Sequence, residues 1–312
     1  MSVARRTDLV LLLVALVWGS SYLTAKAATD AAPVLVVLFL RYALSAVACV
    51  ALLAPALIRR AGRPTRAELG TGTVLGLTQA AVLLLEMYGV AHTSAANAGL
   101  IISLTLVITP FLDRTGGGLP PRFFLAAGLC VVAVGLLMSG SGFHLPGAGD
   151  LLMLAAAVVR AGHVALVGRL TAGRGAGLRP LHLTAVQTVM GTALFAVPAA
   201  GGLPDLAGAD ATVWLQLVHL ALFCSVFAFI AQTWAVQRTS ASRASLLLGT
   251  EPVWAAAIGI GLGGERLTVL AALGAVLMVT GTYWGQAVEH SHRNSRSGKE
   301  TSPDPSTTLT NA

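Results

Sequence analysis

An all-α membrane protein of ten transmembrane helices, built as two inverted five-helix repeats, is the fold class the sequence predicts. Three observations carry that reading. The chain is 55% hydrophobic and only 11% charged, with a mean hydropathy of +0.78, whereas a soluble domain carries about 25% charged residues. Apolar runs of about 20 residues, the length that crosses a hydrocarbon core of about 30 Å, fill nearly the whole chain. A pattern also recurs at a fixed offset of 146 positions: Tyr88 answers Trp234, Thr93 and Ser94 answer Thr239 and Ser240, Leu100 answers Leu246, Gly128 answers Gly274, and Gly135 answers Gly281. Such long-period self-similarity marks two large units and not a solenoid of short ones.

Taken in order, the apolar runs lie at 8–28, 33–57, 68–90, 95–113, 122–140, 150–171, 181–200, 213–237, 242–262 and 267–287. The first follows Arg5 and Arg6 and ends near Ala25, Lys26 and Ala27, an outline shared with cleavable signal peptides. It is long enough to span, and its removal would leave the first unit one helix short of the second, so it is read as a transmembrane helix. Gly72 and Gly76 give the third run a G-x-x-x-G pattern, consistent with close helix packing. Glu251 and Pro252 interrupt the ninth run, and a polar hinge with Gly263, Gly264, Glu265 and Arg266 separates it from the tenth. The domains expected are therefore residues 1–140 and 141–287. A tail, 288–312, is rich in Ser, Thr, Pro and charge and is expected to be disordered.

If the runs alternate in direction, all of the 20 Lys and Arg except Lys26, Arg41, Arg160 and Arg266 fall on one side. The positive-inside rule makes that side the cytoplasm, with both termini in it. Five spans per unit is an odd number, so the second unit must enter the membrane in the opposite sense to the first, the arrangement many carriers use for alternating access.

Several residues together are similar to a known family. They are Trp18-Gly19-Ser20-Ser21, Pro33 with Phe39-Leu40-Arg41, Glu251-Pro252-Val253, Gly263-Gly264-Glu265-Arg266-Leu267-Thr268, Gly274 and Gly281. Over residues 8–287 the chain resembles the EamA family of the drug/metabolite transporter superfamily. The resemblance implies a ten-helix inner-membrane carrier with a central cavity between its halves, often an exporter of amino acids or other small metabolites. The halves have diverged: Leu119 stands where the counterpart of Glu265 belongs, Thr105 at the counterpart of Glu251, and Arg160 at that of Trp18 when Asp8 is aligned with Asp150.

Ionisable residues inside spans are costly and mark function by default. Arg160 and Glu251 fall near mid-depth, while Arg41 and Glu86 lie in the outer half; depth permits the pairs Arg160 with Glu251 and Arg41 with Glu86. His163, one turn beyond Arg160, suits a proton relay or an interhelical hydrogen bond. Trp18 and Trp254 are too deep for interfacial anchors and are candidates for lining a cavity. Gln79, Gln187 and Gln232 are neutral candidates, Gln187 at the position matching Arg41.

Enzyme-like patterns fail on context. Gly259, Gly261 and Gly264 match G-x-G-x-x-G within a membrane helix, with no strand before them. Cys49, Cys130 and Cys224 lie in separate spans without metal spacing. The basic pI of about 10.0 reflects loops beside anionic lipid rather than nucleic acid. The expectation is a secondary transporter and not an enzyme, without cofactor or metal. Its partners are a small-molecule substrate and the bilayer of the plasma (inner) membrane. Proton coupling through Glu251 or His163 and uncoupled export both fit, and multidrug or cationic-compound efflux or the flipping of a lipid-linked substrate are the alternatives. Reporter fusions to the two termini are expected on the same, cytoplasmic face; signals from opposite faces would remove the parity on which inversion rests.

Overall fold

The computed structural model describes residues 3–58, 62–93, 95–113, 119–138, 147–171, 177–263 and 268–300. Among the described residues there is helix and no strand. Among the same residues six helices are long and apolar enough to cross a membrane. Large apolar side chains such as Leu9, Leu23, Val47, Leu52, Leu125 and Leu215 are exposed, while Arg41, Arg160 and Glu251 are buried. That inside-out distribution is the signature of a chain solvated by lipid, and this is a multi-pass membrane protein.

Each expected span is helical. In the first half these are α1 (Val3–Ala31), α2 (Val34–Ile58), α3 (Arg66–His92), the pair α4 (Ala95–Ile102) and α5 (Thr105–Leu112), and α6 (Pro121–Met138). In the second half they are α7 (Ala148–Thr171), α8 (Pro180–Ala199), α9 (Ala211–Ala221) continuing through a wide π turn (Leu222–Phe227) into α10 (Ala228–Val236), the pair α11 (Ala241–Leu248) and α12 (Glu251–Gly263), and α13 (Val269–Glu300). Local chemistry explains the starts. Thr65 and Glu68 form a reciprocal capping box on α3, and Pro180 opens α8, where its missing N–H costs nothing.

The fourth and ninth spans, expected to be continuous, are each broken in the middle. The boundaries of α4 and the start of α5, moved by 146, become Ala241–Leu248 and Glu251, so both breaks fall at the same place in the repeat. In the second half Pro252 accounts for the break, because its ring clashes with the carbonyl of Leu248, where α11 ends. The first half has no such proline; there the Thr105 hydroxyl donates to the Ile102 carbonyl at 2.6 Å and satisfies the end of α4.

Packing follows the repeat as well. α2 lies against α8 and α6 against α13, each the counterpart of its partner, and the contact of α3 with α7 is matched by that of α1 with α9 and α10. Asp8 and Asp150, aligned in the sequence, have related tasks: Asp150 accepts from the Thr93 hydroxyl at the α3–α4 corner, and Asp8 takes the Arg243 guanidinium at the start of α11. Arg243 also meets Glu289, which accepts from the Ser240 hydroxyl. α13 continues past this anchor to Glu300, so residues 288–300, read from composition as the start of a disordered tail, are helical; residues 301–312 lie outside the described residues, as do Gly264, Glu265 and Arg266 of the polar hinge.

Glycines set the closest approaches. A Cβ on Gly72 would meet the Val186 side chain of α8, and one on Gly76 would meet Gln187 and Met190, so the G-x-x-x-G pattern of α3 packs on α8. At Gly149 a Cβ would lie 2.5 Å from the backbone of His92, which cannot turn aside. Gly149→Ala is therefore expected to destabilise the protein by about 1–3 kcal/mol in detergent unfolding. Gly162→Ala on the same helix, where nothing lies within 4 Å, is expected to cause no loss.

Candidate functional site

α1, α7 and α12 bring the central charges together. The break before α12 places Glu251 in its first turn, where the positive end of the helix favours a carboxylate. Arg160 of α7 reaches it with two nitrogens: Nη2 donates to Oε1 at 2.5 Å and Nη1 to Oε2 at 3.4 Å. The Tyr22 hydroxyl of α1 donates to Oε2 at 2.7 Å. Arg160 and Glu251 are 8% and 3% exposed, so both charges are largely withdrawn from solvent. The pairing expected from depth is thus formed, and each charge is the reason the other survives.

Arg160 also lies over the Trp18 ring, 4.3 Å from its centroid. Trp18 and Arg160 occupy the same position in the aligned first and sixth spans, so the two counterparts meet face to face at the middle of the molecule. The Trp18 indole N–H donates to the Cys224 carbonyl at 2.9 Å.

The expected pair of Arg41 with Glu86 is not formed. Arg41 Nε donates instead to the Ser225 hydroxyl at 2.8 Å, and Nη2 makes a longer contact of 3.4 Å with the Cys224 carbonyl. Both acceptors belong to the π turn, whose widened geometry brings hydroxyl and carbonyl to face α2. Glu86 makes no hydrogen bond or ion pair with another described residue, yet it lines the same cavity as Arg41.

That cavity is lined by Trp18, Arg41, Gln79, Val82, Leu83, Glu86, Arg160, His163, Phe229 and Gln232, contributed by α1, α2, α3, α7 and α10. Its free volume is about 20 Å³, room for about one water. Gln79 and Gln232 are buried and, like Glu86, are without a hydrogen bond to any described residue. His163 meets the Thr78 hydroxyl through Nδ1 at 2.8 Å, the interhelical contact foreseen as one of its two roles. A second, smaller cavity of about 10 Å³ lies at the two helix breaks, lined by Ser103, Thr105, Ser245, Gly249, Arg160 and Glu251 among others. Arg160 borders both.

Two sequence candidates stand elsewhere. Gln187 is buried in the seam between α3 and α8, behind Gly76. Trp254 packs its Cβ against Gly19 of α1 and is absent from the cavity wall. Both were selected by depth or repeat position, and neither of those reports which way a side chain turns. Tyr22 and Ser225 were missed. Tyr22 lies one turn after Trp18 on the same face of α1, a signal available in the sequence; the role of Ser225 depends on a π turn that no residue pattern announces. Cys49, Cys130 and Cys224 are buried and unbridged.

Removing one partner of a buried ion pair strands the other. Arg160→Met is expected to cost about 3–5 kcal/mol of stability, most of it recovered in the double variant Arg160→Met with Glu251→Leu, as read by unfolding in detergent.

A model of the EamA-like transporter family matches the chain twice, over residues 5–141 and 147–284. The chain is 26% identical over 276 residues to the uncharacterized inner membrane transporter YedA of Escherichia coli strain K12, covering 85% of this chain and 87% of that one. It is equally similar, over 87% of this chain and 83% of the other, to an uncharacterized transporter of Archaeoglobus fulgidus. A crystal structure with 18% identity superposes at a TM-score of 0.71 over 90% of this chain and 98% of that chain, a likeness of fold. Two matches to one model, each spanning a half whose breaks and packing repeat at the same offset, and relatives named as transporters and not as enzymes, lead to one assignment: the chain belongs to the EamA-like transporter family.

Proposed function

We propose that the protein is a secondary transporter that exports small metabolites, amino acids and related compounds first, by alternating access between two inverted five-helix halves, residues 1–140 and 141–287. The observation that carries this reading is the cavity between the halves. Gln79, Gln232 and Glu86 line it beside two guanidiniums, and none of the three is hydrogen-bonded to another described residue. Polar and ionisable side chains are costly in a membrane interior, and a polar solute that meets them at the cavity wall is the simplest reason to keep them there.

The ion pair and the narrow cavity describe a closed arrangement, because room for one water cannot hold an amino acid. Loading requires the halves to part. Opposed units of similar structure can do this by exchanging conformations, and the matched helix breaks offer hinges at equivalent places. The reading places the protein in the plasma (inner) membrane with both termini in the cytoplasm.

Cationic drugs suit the site less well, since Arg41 and Arg160 both border the cavity. A lipid-linked substrate would need polar groups facing the bilayer. The large lateral groove between α1, α2 and the π turn is lined instead by Val10, Ala48, Leu52, Val226, Phe227 and other apolar residues.

Reconstituted protein is expected to exchange one or more labelled amino acids saturably, and Arg41→Gln to lower that exchange by about tenfold or more. Failure of every solute in a panel of amino acids and cationic compounds to cross would defeat the proposal. Repeating the assay with and without a pH gradient separates the coupling modes. Gradient dependence lost in Glu251→Gln indicates proton coupling through that residue, and insensitivity to the gradient indicates uncoupled export.

A further inference from the structure

We infer that an amphoteric substrate inserts between Arg160 and Glu251, taking the place of each in the other's ion pair, so that the pair acts as an internal stand-in for the substrate. The inference rests on the transporter reading above and assigns the residues that read the two ends of the substrate.

Arg160 borders the larger cavity, which also holds Arg41 and Glu86, and it borders the smaller cavity at the helix breaks together with Glu251. Arg160 is therefore a wall that the two spaces share, and Glu251 holds it from the side of the smaller one. Every polar atom of the Glu251 carboxylate is occupied, Oε1 by Arg160 and Oε2 by Arg160 and Tyr22. To join the two spaces the pair must part, and parting it leaves two buried charges unmet. A molecule with a single charge repairs only one of them: a carboxylate satisfies Arg160 and abandons Glu251, and an ammonium does the reverse. A molecule carrying both satisfies both, and the charge balance of the interior is unchanged.

The surroundings fit such an exchange. Trp18 offers Arg160 a flat face at 4.3 Å, which holds the guanidinium by a contact that does not depend on Glu251. Tyr22 holds Glu251 by a hydrogen bond that does not depend on Arg160. Each charge thus has one neutral support that keeps it in place while its charged partner is replaced. Gln79 and Gln232, which hydrogen-bond no other described residue, stand in the same cavity wall as Arg160 to receive the remaining polar groups of the solute.

Three probes of equal backbone separate the cases: alanine carries both charges, propionate only the carboxylate and ethylamine only the ammonium. Binding to the full chain in nanodiscs is expected to favour alanine over either single-charge probe by about tenfold or more. In Glu251→Gln the substituted amide still accepts from Tyr22 while Arg160 lacks its counter-charge, so propionate binding is expected to tighten by about tenfold and ethylamine, which loses the carboxylate assigned to its ammonium, to bind no better than before or more weakly. Equal affinity of the intact protein for all three probes, or a folded Glu251→Gln protein that binds propionate no better, overturns the inference. If Glu251→Gln does not fold, the neutral double variant Arg160→Gln with Glu251→Gln takes its place; loss of the preference for alanine supports the inference, and its persistence refutes it. Transport of other solutes by a protein that binds none of the three probes sinks this inference and leaves the transporter reading standing, whereas absence of transport for any solute sinks the transporter reading itself.

Discussion

A guanidinium and a carboxylate at mid-depth in a lipid-solvated helical bundle persist only together. Arg160 and Glu251 meet at 2.5 Å, nearly sealed from solvent, and their attraction offsets a desolvation cost that either alone could not bear. Meeting that requirement fixes much else. It holds α7 against the start of α12, just after the helix break, and recruits Tyr22 and Trp18 of α1 as neutral supports. Three helices from both halves converge on one pair of charges.

The second organising feature is the correspondence of the two halves. Breaks in the fourth and ninth spans fall at the same repeat position, and at each a threonine hydroxyl donates to a carbonyl at the end of the preceding helix, Thr105 to Ile102 and Thr250 to Leu247; the second break has a proline ring, Pro252, as well. The halves diverge where they touch the cavity. Trp18 faces Arg160, its own counterpart, and Glu251 corresponds to Thr105, so a symmetric frame encloses a chemically asymmetric centre.

The π turn between α9 and α10 belongs to the same logic. By widening the helix it turns the Ser225 hydroxyl and the Cys224 carbonyl toward Arg41, and the same carbonyl accepts from Trp18. Two cavity residues from α1 and α2 are thereby tied to one irregular turn. Arg41 is held by neutral acceptors and pairs with no carboxylate among the described residues, in a cavity where Glu86 likewise makes no hydrogen bond or ion pair with a described residue.

Composition and periodicity alone determined the membrane environment and the helical class, because these depend on how many apolar residues stand in a row. Depth counted along each helix permitted two pairs, Arg160 with Glu251, which forms, and Arg41 with Glu86, which does not. Rotation about the helix axes was decided only by the tertiary structure. It turned Gln187 into the α3–α8 seam and Trp254 toward Gly19, brought Tyr22 to Glu251, and gave Arg41 to the π turn instead of Glu86. In a helix that is apolar on all sides, the linear pattern carries little record of which face turns inward; that is settled by the close approach of neighbouring helices and by the few polar groups that must find one another.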